Sequence, residues 1–161
     1  DLKIPLVAVA TDVETDEVEV FRSGPVVPAV HASSAVVPYF TPVKLYNKTY
    51  VDGSVVEPVP VKIAKRFNPK VIIAVNIGTP PPRKHASNIY DLMKRTVNRS
   101  YYELTCKQAE LADVVIHPDL KGIGTFDDDR NNEIFELGRE AALSMMPKVK
   151  QVLKEAGINS F

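Results

Sequence analysis

Three stretches of this chain are apolar without interruption: Leu6-Val7-Ala8-Val9-Ala10, Val71-Ile72-Ile73-Ala74-Val75 and Val114-Val115-Ile116. A strand with one face in water alternates polar and apolar side chains, whereas an unbroken run rich in β-branched residues reads as a strand buried on both faces. Such strands need neighbours on both edges and cover above and below. Helix-period segments lie between the three runs, so the expected class is α/β, with parallel strands covered by helices on both faces.

The intervening chain supplies the rest of the expected elements. Residues 4–11 form the first strand, residues 12–16 a turn and residues 17–21 an alternating strand, together a hairpin. After Ser23-Gly24-Pro25, residues 29–36 form a short helix that must stop near Pro38. Residues 43–46 and 49–51 flank Asn47-Lys48 as a second hairpin, closed by Asp52-Gly53-Ser54. Pro60 suits the first turn of a helix over residues 61–67, which leads to the strand at 71–75. Residues 78–84, with three prolines, form a stiff surface loop or linker. Ile89, Leu92, Met93, Val97, Tyr101, Leu104 and Leu111 fall largely on one stripe of a helix over residues 87–111. A terminal helix runs from Ile134 to Leu153, and Pro147 is expected to kink or restart it.

Composition removes several functional classes. The 161 residues are 45% hydrophobic and 25% charged, enough to bury a core, and one domain is the default for this length. Twenty basic and twenty acidic residues cancel, so no net positive field draws in nucleic acid, and no nucleic-acid partner is expected. Cys106 is the single cysteine, and with three scattered histidines it makes neither a disulfide nor a zinc framework, which suits a reducing, cytoplasmic setting. No apolar run approaches the roughly 20 residues needed to cross a bilayer.

Two features disagree with a complete domain. The chain opens Asp1-Leu2-Lys3-Ile4-Pro5, without Met or a signal peptide, and enters an apolar strand within a few residues. It also contains only three interior strands and two hairpins, too few for a sheet covered on both faces. The expectation is a cut start, with part of the sheet contributed by polypeptide absent from this sequence.

The segments Ile4-Pro5-Leu6-Val7-Ala8-Val9-Ala10-Thr11-Asp12, Phe21-Arg22-Ser23-Gly24-Pro25, His31-Ala32-Ser33-Ser34-Ala35, Tyr39-Phe40-Thr41-Pro42-Val43 and Tyr50-Val51-Asp52-Gly53-Ser54 occur in an informative order. In that order they resemble the patatin-like phospholipase family, in particular the bacterial and archaeal branch similar to the catalytic domain of neuropathy target esterase. Ile73-Ala74-Val75-Asn76 and residues 112–119 look like the family's later strands. The resemblance implies a three-layer α/β/α patatin-like fold, incomplete in this chain, and a serine acyl hydrolase with a Ser/Asp dyad. It requires no metal or organic cofactor.

Under that resemblance Asp52 matches the dyad aspartate, Gly53 the glycine of the Asp-Gly-Gly or Asp-Gly-Ala motif, and Ser54 its small third residue. A carboxylate at a strand end can orient a serine hydroxyl and take its proton as the oxygen attacks an ester carbonyl. From spacing alone, a turn aspartate capping the segment 58–67 is the better explanation of Asp52, and the resemblance is what favours catalysis. The family's Gly-x-Ser-x-Gly elbow and glycine-rich oxyanion loop are both missing, since none of Ser23, Ser33, Ser34, Ser54, Ser87, Ser100, Ser144 and Ser160 has the flanking glycines. In the family those elements precede the strand matching residues 4–11. Residues 1–161 therefore correspond to the C-terminal portion of one catalytic domain, inactive alone, whose partners are the missing N-terminal half and a lipid or ester substrate. The alternative is a non-catalytic interaction module that has lost its nucleophile.

Other candidates have plainer explanations. Asp12 matches an acidic family position but suits a strand-end turn. Ser33 or Ser34 with His31 would be a Ser/His pair, yet residues two or three apart on a short helix do not naturally face each other. Asp127, Asp129 and Asn131 imitate a calcium loop that lacks both its glycine and its bidentate Glu, and so read as an acidic lead into the last helix. Gly122-Ile123-Gly124 lacks the remainder of any phosphate-binding fingerprint and reads as a turn. Asn47-Lys48-Thr49 and Asn98-Arg99-Ser100 fit the glycosylation pattern with no secretory context. Lys65, Arg66 and Lys70, or Arg83 and Lys84, are candidate contacts for lipid headgroups in a transient encounter with a membrane, with solvated faces the plainer reading. His85 and His117 have no partner in the pattern.

Overall fold

A computed structural model describes residues 2–81, 85–120, 122–124 and 127–159. The chain divides into two compact units between Ile63 and Ala64, each of mixed α and β structure. Arg83 and Lys84 lie outside the described residues, as do Lys121, Thr125 and Phe126.

The first unit contains β1 (Ala8–Asp12), β2 (Val18–Phe21), α1 (Val26–Ser33), β3 (Val43–Leu45) and β4 (Lys48–Asp52), followed by a short 3-10 turn (Gly53–Val55). Its four strands form one sheet in the order β2-β1-β4-β3, and every pairing is antiparallel. This departs from the parallel arrangement expected for the first apolar run. For β1 with β2 and for β3 with β4 the cause is loop length, since a parallel neighbour requires a crossover of a dozen or more residues and these links are far shorter; the 35 residues between β1 and β4 would allow either direction. The expectation of neighbours on both edges of β1 is met by β2 and β4, from within this chain. The strand is also shorter than the apolar pattern, since Ile4 and Leu6 are exposed.

Both hairpins form, with one shift. Leu45 pairs with Lys48, so the two-residue turn is Tyr46-Asn47 rather than Asn47-Lys48, and both turn residues have positive φ (52° and 62°). That is the mirror-image turn whose twist matches paired strands, and Asn is among the residues that tolerate it best. Helix α1 begins three residues earlier than expected, directly after Pro25. It stops at Ser33 because Ser34 Oγ donates to the carbonyls of Val30 and His31, competing with helix propagation. The core of this unit is Ala10, Ala32 and Tyr50, with Phe21, Val43 and Leu45 packed against it. Phe21 meets Tyr50 edge to face, ring centroids 5.3 Å apart.

Helix α2 (Val61–Lys65) runs across the division and ends two residues short of the expected Phe67. The second unit then holds β5 (Ile73–Val75), α3 (Ile89–Ala109), β6 (Val114–Ile116), a 3-10 turn (Asp128–Arg130) and α4 (Asn131–Glu155). Here the parallel expectation holds: β5 and β6 pair in parallel, with α3 in the crossover between them. Asp113 Oδ2 accepts from the Ile72 amide at 2.7 Å and ties the two strand starts together. Asn88 caps α3 by accepting from the Asp91 amide at 2.9 Å. Helix α4 continues through Pro147, where a kink or restart was expected, and ends at Glu155; Gly157, with a φ of 74°, follows its cap Ala156 as a glycine stop.

Candidate active site

Asp52 is the last residue of β4, and its position is fixed from three directions. Its amide donates to the Ala35 carbonyl at 3.0 Å, and its carbonyl accepts from Thr11 Oγ1 at 3.2 Å. Its side-chain Oδ1 accepts from the Ser54 amide at 2.7 Å, which caps the 3-10 turn Gly53–Val55. The capping role foreseen for Asp52 therefore exists, but it serves this turn rather than the segment 58–67. Among the described residues Oδ2 accepts no hydrogen bond, so half of the carboxylate is already oriented and half is available.

Gly53 is required for a steric reason that the sequence did not show. An ideal Cβ at this position would lie 2.5 Å from the Val9 carbonyl oxygen and 2.9 Å from its carbon. Only glycine lets the chain leaving β4 cross so close to β1. Ser54 contributes its amide to Asp52.

Asp52, Gly53 and Ser54 open on a groove of about 400 Å³ whose other walls come from residues 6–9, Val30, Ser33, Ser34 and residues 57–60 apart from Val59. Its lining is mostly aliphatic, from Leu6, Val7, Val9, Val30 and the prolines, and carries few polar groups. An apolar cleft with a small number of placed polar groups suits an acyl chain next to a reacting ester. Ser33 and Ser34 reach this groove, but His31 is not part of its lining, and Ser34 Oγ is committed to the helix end. The structure does not assemble a Ser/His pair.

Glu57 is a residue that the sequence reading missed. It lines the same groove, and its Oε2 is buried without a hydrogen-bond partner among the described residues. A buried carboxylate oxygen without a donor is costly. The available signal was an acidic residue set between Val56 and Pro58, inside an otherwise apolar run.

Asp12 lies away from the groove and performs the turn role expected of it. Its Oδ1 accepts from the Glu14 amide at 3.0 Å, and Lys48 Nζ sits 3.1 Å from its Oδ2. The Glu14 amide, and after it Lys48, hold the Asp12 carboxyl below the ordinary carboxylate range. Lys48 also reaches Glu19 at 3.3 Å, and Tyr50 Oη donates to the same Glu19 oxygen. Burial, followed by the Glu19 charge, pushes the Tyr50 hydroxyl up.

The remaining candidates fall elsewhere. Asp127 Oδ2 accepts from the Gly124 amide at 2.6 Å, and Arg130 pairs with Glu133, so this acidic segment leads into α4. Gly122 adopts a φ of 79° in a turn. Asn47, Lys65, Arg66, Lys70, His85, Asn98 and His117 are all exposed. Among the described residues no helix is long and apolar enough to cross a membrane.

Comparison with protein families gives a match to the patatin-like phospholipase family over residues 3–65. The matched stretch contains the whole four-stranded sheet, α1 and every residue that lines the groove. On this match, residues 3–65 of the chain are similar to a patatin-like phospholipase domain, a family likeness that points to lipid acyl hydrolysis.

Proposed function

We propose that this chain contributes the aspartate of a Ser/Asp dyad to a patatin-like lipid acyl hydrolase of the branch similar to neuropathy target esterase. In this reading residues 1–161 are the C-terminal portion of a three-layer α/β/α catalytic domain. The serine elbow and the oxyanion donors come from polypeptide outside these residues, in the same protein or in a companion chain. The observation that carries the reading is the half-committed carboxylate of Asp52: Oδ1 is held by the Ser54 amide, while Oδ2 is open beside an apolar groove.

The chemistry follows from that arrangement. The serine hydroxyl attacks the ester carbonyl, its proton passes to Asp52, and collapse of the tetrahedral intermediate returns the proton to the leaving alcohol. Water, deprotonated in turn by Asp52, then attacks the acyl-enzyme, and Asp52 returns that proton to the serine oxygen as the carboxylic acid leaves. The groove's aliphatic walls would hold the acyl chain, and the mechanism needs neither a metal nor an organic cofactor.

Asp52→Asn in the complete protein is the test. Asn keeps an oxygen acceptor for the Ser54 amide and is as good a cap as Asp, so stability should be unchanged. Ester turnover should fall by about 10²–10⁴-fold, the span typical of a lost general base. A serine-directed phosphonate should label the complete protein on a serine outside these 161 residues. Turnover by Asp52→Asn at the wild-type rate would remove Asp52 from catalysis, and absence of phosphonate labelling would favour the non-catalytic module.

A further inference from the structure

The groove beside Asp52 holds a second carboxylate. Glu57 is pinned to the same corner of the chain, since its amide donates to the Gly53 carbonyl at 2.8 Å. Its side chain lines the groove with Oε2 closed off from water, and neither carboxylate oxygen takes part in a hydrogen bond or ion pair among the described residues. Asp52 makes no ion pair among them either, because the one side-chain partner it has is the Ser54 amide. The other lining residues are uncharged, and no Lys, Arg or His is among them. Lys3, His31 and Lys62, the basic residues nearest to the lining along the chain, are exposed and lie outside it.

Charge then decides what the groove can hold. A volume of about 400 Å³ is that of a sphere roughly 8–10 Å across, about one Debye length at ordinary ionic strength, so salt screens a seated head group little from the two carboxylates. The aliphatic walls lower the effective dielectric constant and extend the reach of each charge. A phosphate entering here would give up its hydration and meet no cationic side chain of the lining in return. An ammonium group or a glycerol hydroxyl would meet carboxylate oxygens whose hydrogen bonds are still unmade.

We propose that Glu57 sets the substrate class of this groove: together with Asp52 it selects acyl esters whose alcohol portion is uncharged or carries an ammonium group, and rejects those whose head group is an anion. The inference rests on the reading of the groove as an acyl-ester site. It gives Glu57 a part in choosing the ester, not in breaking it.

The test is isothermal titration of the complete protein with three ligands that share one alkyl chain, namely octyltrimethylammonium, 1-O-octylglycerol and octyl phosphate, each kept below its micelle concentration. None contains a carboxylic ester, so the measurement needs no turnover. Octyl phosphate should bind at least about tenfold more weakly than octyltrimethylammonium, and the gap should narrow as salt rises. Glu57→Gln keeps the size of the side chain and removes its charge. It should strengthen octyl phosphate binding and weaken octyltrimethylammonium binding by about three- to tenfold each, while 1-O-octylglycerol, which reports that the groove is intact, stays within about twofold. Octyl phosphate binding as tightly as octyltrimethylammonium, a Glu57→Gln variant with the same ratio between those two ligands as wild type, or no binding by any of the three would each overturn the proposal. If the charge order and its dependence on Glu57 hold while Asp52→Asn keeps full turnover, the selectivity stands and the dyad reading falls. If Asp52→Asn abolishes turnover and octyl phosphate binds best, the dyad reading stands and the selectivity falls.

Discussion

Gly53→Ala is the substitution whose consequence the structure states most sharply. The added methyl would lie 2.5 Å from the Val9 carbonyl oxygen and 2.9 Å from both its carbon and its Cγ2. An ordinary carbon to oxygen contact is about 3.3–3.6 Å, so roughly 1 Å must be found. The Cγ2 can rotate away, but the carbonyl cannot, because it belongs to the backbone of β1, one residue before the Ala10 to Asp52 pairing. Overpacking of this kind costs about 1–3 kcal/mol, with a rigid backbone target at the upper end. Against it stands the 0.4–1 kcal/mol or so gained from a less flexible unfolded chain. The net is about 2 kcal/mol, or about thirtyfold in the unfolding equilibrium. Urea unfolding gives the total, and amide hydrogen exchange in peptides covering β1 and β4 locates it. Gly138→Ala is the matched control, since that glycine lies within α4 with nothing within 4 Å of its Cβ position. The same change there should stabilise by about 0.5–1 kcal/mol. If Gly53→Ala stays within about 0.5 kcal/mol of wild type, with β1 and β4 protection unaltered, the close crossing of the two strands is refuted.

Tyr50→Ala removes the largest fully buried side chain and its ring contact with Phe21, and should cost about 3–5 kcal/mol in urea unfolding. Asp12 gives an acid-sensitive component: its folded pKa lies below that of the unfolded chain, so its contribution is complete above about pH 4 and is lost as pH falls through the lower folded value. Unfolding midpoints measured down this range should fall less steeply in Asp12→Asn than in wild type, and identical slopes would show that the Glu14 amide and Lys48 do not favour the charged form.

The long helices and the β5 to β6 unit were legible because their signals are local: periodic apolar positions, a capping Asn88 and an apolar run bounded by turn residues. The first apolar run misled in one respect, since residues 6–10 carry the pattern of a parallel interior strand yet sit in an antiparallel sheet. The run marks a strand, but of residues 6–10 only Ala10 is buried, and the short link to β2, which the apolar pattern does not record, sets the direction of that pairing. Asp52 was picked out by the motif around it, and Glu57 was not, because nothing in Val56-Glu57-Pro58 says that its oxygen will be buried beside the same groove.

By itself, then, the sequence determined which segments become helix and strand, the mixed α and β character and the candidate carboxylate, all of which depend on neighbours a few residues apart. Only the tertiary structure decided that Val9 leaves no room for a side chain at position 53, that Asp52 divides its oxygens between a turn and a groove, and that α3 buries side chains only in its last turns. Those facts depend on distances between residues far apart in the chain, and chain pattern carries no record of such distances until the strands have paired.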